Sequence, residues 1–415
     1  MTTVTTSPST SQQCIRILSG AGADLTRHHT VYGRLRHDDP TVIRSIVDSG
    51  LLGRGGAGFP AGTKLANTRG RRPVVVANGA EGEPLSSKDE VLLTNSPHLV
   101  LDGLATAAAQ LGSNEAYLYV PSHLATWLRR IVDDRRATQW DPIEVTVVES
   151  SGHFVSGEKT AVLSAVEGKL ALPRDQRASV SISGVRGRPT LIHNVETLAH
   201  IATIARYGAS WFRSTGAPDE PGTMLVTLSG AVSRPGVAEV PVGISLDRLL
   251  IDYAGARLER TRAVLMGGFH GTWLRGAELP NLGLSHSALA PLGASPGAGV
   301  VHVLGTSECG LESTARAVRF LADESAGQCG PCLNGLPRLA VAITDVARGR
   351  AGAGAVELVH RYANLVDGRG ARHHPDGTAR LVRSALTAFA GDIRLHGSGT
   401  CEASEADTTT KVDFR

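Results

Sequence analysis

The sequence predicts an α/β protein, on three observations. Short apolar, β-branched runs at residues 73–77, 116–120 and 145–148 read as buried strands, and helix-length segments alternate with them. That alternation argues a sheet layered with helices. The second observation is a loop, Gly53-Arg54-Gly55-Gly56-Ala57-Gly58-Phe59-Pro60-Ala61-Gly62-Thr63-Lys64, with five glycines in its first ten residues. A backbone so free of side chains can press against a flat ligand and turn its N–H groups on an anion, with Lys64 supplying charge. The third is the turn Asn78-Gly79-Ala80-Glu81-Gly82-Glu83-Pro84, which ends the first strand with two carboxylates. Ligands of α/β sheets sit at the carboxyl ends of strands, so loop and turn are expected to share one crevice.

In chain order, residues 1–30 are expected to form a flexible tail. Residues 41–50 carry apolar positions at helical spacing, with Asp39 or Thr41 to cap them. The loop that follows contains G-x-G-x-x-G at Gly53, Gly55 and Gly58, but a helix precedes it, and the dinucleotide fingerprint requires a strand there. A helix is expected over 91–111. Residues 152–161 read as a loop entering a helix, and 174–189, rich in Arg, Ser and Gly, as a long loop of the kind that is often functional. Residues 225–232 and 236–241 read as strands about a Pro-Gly turn, 245–254 as a helix capped by Ser245, and 264–268 as another strand. Apolar spacing through Leu321 then gives a helix, followed by Cys329-Gly330-Pro331-Cys332. The polar residues 396–415 are expected to be a second flexible tail.

Length and composition narrow the classes. At 415 residues the chain has room for two or three domains of roughly 150 residues. A net charge of +3 makes no case for a nucleic-acid or membrane-surface partner. No apolar run approaches the roughly 18 residues of a membrane span. The N-terminal residues lack the basic and apolar regions of a secretory signal, so a cytoplasmic setting is expected. Five cysteines are too few for a disulfide scaffold of this size, and Cys-x-x-Cys without an export signal reads as a metal, cluster or redox site.

The glycine loop, the acidic turn, Ser156-Gly157-Glu158-Lys159-Thr160-Ala161 and Gly187-Arg188-Pro189-Thr190-Leu191-Ile192-His193-Asn194-Val195-Glu196-Thr197-Leu198 follow one another in a family order and spacing. Together they resemble the NADH-oxidising flavoprotein subunit of respiratory complex I and its relatives in NAD-linked hydrogenases and formate dehydrogenases. The resemblance implies an FMN-binding α/β domain at 31–220, a β-grasp (SLBB-like) insert at 221–305 and a helical iron-sulfur-type domain at 306–395. It implies FMN as cofactor, NAD(P)H as substrate, and electron transfer to a separate acceptor such as a ferredoxin or another polypeptide of a complex. Carried over residue by residue, Gly55, Gly56 and Gly58 would approach the flavin and Lys64 would pair with it. Asn78 and Glu81 would hydrogen-bond the ring or ribityl chain, with Gly157, Glu158 and Asn194 on the far side. Phe59 and Glu83 stand where the family stacks and hydrogen-bonds NADH.

This chain departs from the pattern at particular positions. Lys159 replaces the family's second carboxylate, Asn67 replaces an aromatic, and residues 175–181 contain no aromatic. Lys159 is expected either to attract a 2′-phosphate, favouring NADPH, or to face solvent on its long stem. Of the family's four cluster cysteines, Cys329 and Cys332 match the second and third, while Ala326 and Arg372 occupy the first and fourth. A [4Fe–4S] cluster is therefore doubtful; His373, His374 or Cys401 could supply missing ligands, and Arg372 could pair with Asp367, Asp376 or a helix C-terminus. The alternative to an oxidoreductase is a scaffold that keeps the fold and docks a redox partner.

Overall fold

The computed structural model describes residues 16–18, 22–175, 178–350 and 354–403. Of the expected tails, 1–15, 19–21 and 404–415 lie outside the described residues, as do positions 176 and 177 of the long loop. Residues 25–30, expected in the first tail, belong instead to a helix, α1 (Leu25–Tyr32), which Asp24 caps by accepting from Thr26 N–H and Arg27 N–H. Helix α2 (Val42–Ser49) leads to the glycine loop, which enters α3 (Ala61–Asn67). Then come β1 (Val74–Asn78), α4 (Lys88–Asn95), α5 (Pro97–Leu111), β2 (Glu115–Pro121), α6 (Ser122–Ala137) and β3 (Glu144–Ser150). Helix α7 (Lys159–Val166), β4 (Thr190–Asn194) and α8 (Val195–Arg213) complete the layer.

These four strands are parallel, in the order β3-β2-β1-β4. Successive residues of β1 face opposite cores: Val75 and Ala77 pack with α2, α5 and α8, while Val74 and Val76 pack with α7. Burial on both faces is why the strand reads as an unbroken apolar run. Helix α5 crosses α8 at Gly103, where an added Cβ would sit 1.9 Å from the Leu198 carbonyl oxygen, so the approach requires glycine. The single helix expected over 91–111 is in fact two. Pro97 has no N–H to continue α4, and it starts α5 instead. Asp102 of α5 is fully buried. It accepts hydrogen bonds from Arg135 at 2.7 Å, Trp140 Nε1 at 3.2 Å and Arg206, and lies 2.8 Å from His28 Nε2. One carboxylate thus ties α1, α5, α6 and α8.

A second sheet follows: β5 (Thr223–Gly230), β6 (Gly236–Pro241), β7 (Thr261–Met266), β8 (Thr272–Arg275) and β9 (Val300–Gly305), with helices α9 (Leu246–Arg248) and α10 (His286–Leu289) between strands. Its order is β6-β5-β9-β7-β8, with β5 and β9 parallel and the remaining pairs antiparallel. First and last strands side by side at the centre give the β-grasp arrangement. The helix expected over 245–254 is one α turn followed by a π turn at Leu249–Tyr253. Ser245 holds the N-cap position but its hydroxyl caps no backbone N–H; it bonds the Asp247 carboxylate.

Helices α11 (Gly310–Asp323), α12 (Leu336–Ala347), α13 (Ala355–Val366), α14 (His374–Ala388) and α15 (Ala390–His396) end the described chain. Their apolar faces share one core with Ala263, Leu265, Val300 and Leu304 of the second sheet. The sheet's other face, with Val226, Val264 and Val303, packs on its own short helices. Among the described residues no helix is long and apolar enough to cross a membrane.

Candidate functional site

Strands β2 and β3 extend the first sheet to one side of β1, and β4 extends it to the other. The chain therefore reverses its direction of sheet growth between β1 and β4, and α/β sheets bind ligands outside the carboxyl ends at such a point. Those ends are Asn78 and Asn194, which are paired in register. Asn78 Nδ2 donates to the Gly157 carbonyl oxygen at 3.0 Å, and its Oδ1 accepts from Ala80 N–H at 3.2 Å. A Cβ on Gly157 would lie 3.4 Å from the Ala80 carbonyl oxygen, so the acidic turn and the 152–158 loop meet closely. The glycine loop is closed at its neck by Gly53 N–H to Phe59 carbonyl (2.9 Å) and Ala61 N–H to Leu51 carbonyl (2.9 Å). Gly55 then lies over Asn194, 3.3 Å from its Cβ to a Cβ built on the glycine. Gly58 has φ +61°, and a side chain there would also strike the His286 imidazole at 2.7 Å. One residue from each of the four motifs, Gly55, Asn78, Gly157 and Asn194, thus meets the others around the ends of β1 and β4.

A buried polar lock lies under the crevice. Lys88 Nζ donates to Asp89 Oδ1 and Glu196 Oε2, both at 2.8 Å, and to Asn194 Oδ1 at 3.3 Å. Burial opposes the Lys88 charge, yet the Asp89 and Glu196 carboxylates hold its pKa above the ordinary value. Asn194 Nδ2 donates to Asp89 Oδ2 (2.5 Å) and to the Asn78 carbonyl (3.3 Å), and Asn194 Oδ1 caps α8 at Glu196 N–H (3.0 Å). Glu196 Oε1 accepts Leu225 N–H of β5 at 2.8 Å and lies 3.9 Å from Arg54. Arg54, inside the glycine loop, donates its backbone N–H to Thr197 Oγ1 (2.9 Å) and its guanidinium to the Thr223 carbonyl (3.0 Å). Loop, turn, β4 and second sheet are thereby fixed to one another.

The remaining residues have definite places. Lys64, in α3, donates to the Ile192 carbonyl, a neutral partner. Burial first, then the positive charge of Lys159, lowers the Lys64 pKa to about 8. Lys159 is exposed and begins α7. His193 is buried beside them with Nε2 unpartnered, its pKa pulled well down by burial and then by Lys64. Glu158 Oε2 caps α7, accepting from Thr160 N–H (2.7 Å) and Ala161 N–H (3.2 Å). Glu81 accepts from Asp89 N–H (3.3 Å), Glu90 N–H (3.2 Å) and Ser86, so it serves the first turn of α4. Burial, then Asp89, raises its pKa to about 7. Glu83 accepts Phe269 N–H at 2.8 Å and Leu85 N–H at 3.3 Å, and burial raises it too to about 7. Phe59, at the neck of the glycine loop, is half exposed.

In the helical region, Cys329 and Cys332 hydrogen-bond one another. Burial, then Cys329, pushes the Cys332 thiol up to about 12. At Cys329 burial is outweighed by the N–H groups of Ala371 and Cys332 and by the Arg372 charge, which draw its pKa down. The fourth-ligand position is thus folded against Cys329, with a cation in it. Arg372 does not pair with Asp367 or Asp376, which are taken by Arg383 and by His373 with Gly368 N–H. It reaches instead to the Arg174 carbonyl and to Asp175 at 3.8 Å, bridging to the long loop. The substitute ligands are engaged elsewhere: His373 with Asp376 at 2.9 Å, and buried His374 with the Leu321 carbonyl at 2.7 Å. Cys401 lies with Cys309 and His396 in a separate cluster.

Sequence reading missed Lys88, Asp89, Arg54, Glu196 and His193. The available signal was charge inside otherwise apolar or glycine-rich stretches, which implies a buried partner.

Two family profiles match the chain: one described as the Nuo51 FMN-binding domain over residues 46–203, and one as the NADH-ubiquinone oxidoreductase-F iron-sulfur binding region over 312–396. The chain is 32% identical over 372 residues to the second F-type chain of the NADH-quinone oxidoreductase of Rhizobium meliloti (strain 1021), covering 86% of this chain and 88% of the relative. It is 29% identical over 412 residues to the F chain of the NADH-quinone oxidoreductase of Streptomyces coelicolor, covering 94% and 91%. Among solved structures it is similar to a chain of the NAD+-reducing [NiFe]-hydrogenase in the air-oxidized state, with TM-score 0.82 and 29% identity. That match covers 90% of this chain and 66% of the hydrogenase chain.

Removing the buried cation tests the lock. Lys88→Met removes the ammonium that Asp89 and Glu196 share, leaving Asp89 with Asn194 alone and Glu196 with Arg54 at 3.9 Å, and breaking a buried ion pair in this way costs about 3–5 kcal/mol. A denaturant midpoint that falls accordingly is expected; an unchanged midpoint would show that Lys88 is not what holds these segments.

Proposed function

The chain belongs to the family of NADH-quinone oxidoreductase F chains, and from that premise we propose that it is an FMN-dependent oxidoreductase passing electrons from NAD(P)H to a separate acceptor, either a partner subunit or a ferredoxin. The observation that carries this reading is the pair Lys64 and Lys159 beside a glycine backbone at the β1/β4 crevice. Burial first, and then the charge of Lys159, lowers the Lys64 pKa, and the Lys64 ammonium donates to a neutral carbonyl, so an anion beside it would answer a charge that the protein leaves unpaired. Gly55 and Gly157 leave the adjoining faces without side chains, which suits a planar ring. The residues present therefore fit FMN.

The chemistry FMN supplies in such a crevice is acceptance of a hydride and its release as single electrons. Lys64 and the glycine-loop N–H groups would hold the phosphate. Asn78, Asn194 and Gly157, already fixed to one another, would flank the ring at constant spacing. Glu81 and Glu158 act through the helices they cap, keeping the acidic turn and the 152–158 loop in place. Phe59 would stack on the nucleotide from the neck of the glycine loop, and Glu83, anchored by Phe269 N–H, would face its ribose. Lys159 at the mouth would attract an additional phosphate.

The helical region does not fit a four-thiolate cluster. A methyl group and a permanent cation stand at two ligand positions, and an arginine cannot ligate iron. Electrons would then leave the crevice directly to a partner. The contact of Glu324 with Phe154 N–H (2.9 Å) and His153 (3.2 Å) joins the 152–158 loop to the helical region.

Stopped-flow reduction by NADH and NADPH tests the nucleotide assignment. The protein is expected to favour NADPH or to oxidise NADH weakly, and Lys159→Glu is expected to move the ratio toward NADH by about ten- to a hundredfold, the worth of a charged contact of about 1–3 kcal/mol. An unchanged ratio removes Lys159 from nucleotide binding. Iron and acid-labile sulfide after anaerobic reconstitution test the cluster: far less than the roughly four irons of a cubane is expected for the natural chain. Ala326→Cys with Arg372→Cys is expected to gain it. A full complement in the natural chain contradicts the reading.

A further inference from the structure

We propose that Cys309, His396 and Cys401 form a binding site for a thiophilic divalent cation of the zinc class, separate from the Cys329–Cys332 pair. Their ligand atoms all lie within 4.8 Å of one another. Cys309 Sγ is 3.6 Å from His396 Nε2. A tetrahedral ion with Zn–S of about 2.3 Å and Zn–N of about 2.0–2.1 Å spaces its sulfur and nitrogen ligands by about 3.6 Å.

Each ligand is positioned from outside the cluster. Cys309 is the N-cap residue of the fourteen-residue α11, which holds its sulfur at the helix start beside the other two ligands, and an ion binding there must displace the thiol proton. His396 is the last residue of α15, 9% exposed, with Nε2 turned toward Cys309. The Cys401 sulfur accepts Ala403 N–H at 3.4 Å and lies 3.7 Å from Oδ1 of Asp392, which is fully buried. The Cys401 thiol donates to Asp392, which is itself held by Glu402 N–H at 3.1 Å and by Arg262 of β7, so the Arg262 cation answers the carboxylate when an ion takes the place of the thiol proton. Two sulfurs and an imidazole select zinc-class ions over magnesium or calcium, which prefer oxygen. Cys401 is exposed, which opens a route for the ion and for water in the fourth position. Occupied, the site would staple the segment after α15 to the start of α11, beside the second sheet.

The test adds Co2+ to the purified full-length chain carrying Cys329→Ser and Cys332→Ser, so that no signal comes from that pair. Binding of about one Co2+ per chain, with a thiolate-to-cobalt charge-transfer band that Zn2+ abolishes, is expected. The band should be lost in Cys309→Ser and in Cys401→Ser. Because those variants could fail to fold, alkylation of Cys401 in the natural chain, followed by peptide mass, gives an independent readout: Zn2+ should slow it by about tenfold or more. Absence of a thiolate band, an alkylation rate indifferent to Zn2+, or a Cys309–Cys401 disulfide in the native protein would each overturn the proposal.

Discussion

Lys88 sits where the segments that make the crevice meet: the acidic turn and α4, the end of β4 and start of α8, and through Glu196 both Arg54 of the glycine loop and β5 of the second sheet. A buried ammonium is tolerated only when its charge and its hydrogen bonds are answered. Asp89, Glu196 and Asn194 do both. The arrangement is directional as well as attractive, since Asn194 must present its carbonyl to Lys88 and its amide to Asp89 and Asn78 at once. That fixes the two asparagines at the ends of β1 and β4, and with them the floor of the crevice. The glycine loop is then free to be almost all backbone, because Arg54 anchors it from below.

Much of this was legible in the sequence because local signals and motif order carry it. The β1 and β2 runs are apolar on both faces, the edge strand β3 less so, and residues of the four motifs meet around the ends of β1 and β4. What was not legible is long-range. Lys88 finds Glu196 over a separation of 108 residues, and Asp102 finds Arg206 over 104. Nothing in a single sequence announces such partners. The break between α4 and α5 was written in Pro97 and overridden by the apolar spacing on either side. Strand β9 escaped notice because it becomes a strand only by inserting between β5 and β7. The carboxylates were read as ligand contacts, yet Glu81 and Glu158 spend oxygens on helix N-termini, a role that residue type alone does not separate from ligand binding.

The helical region is held together by apolar packing. Its core of Leu311, Val318, Leu339, Ile343, Val359 and Leu381 is apolar and continuous with the second sheet, so packing alone accounts for its stability. Cys329 and Cys332 stay together in that frame, and Arg372 folds against Cys329 while reaching the Arg174 carbonyl on the long loop. The Arg372 cation at that position bridges the helical region to the long loop.

The central claim is that the β1/β4 crevice holds FMN by its phosphate through Lys64. The Lys64 pKa is lowered to about 8, so in the free protein the ammonium is charged below that pH and is lost as pH rises through it. Titration of FMN and of riboflavin into flavin-depleted protein across this range is the most direct measurement. About one FMN per chain is expected, its affinity falling by up to about tenfold from pH 7 to pH 9 as the Lys64 charge is lost. Riboflavin, without the phosphate, should bind more weakly and change little over the same range. A protein that takes up no FMN, or binds both flavins with the same pH dependence, would contradict the account.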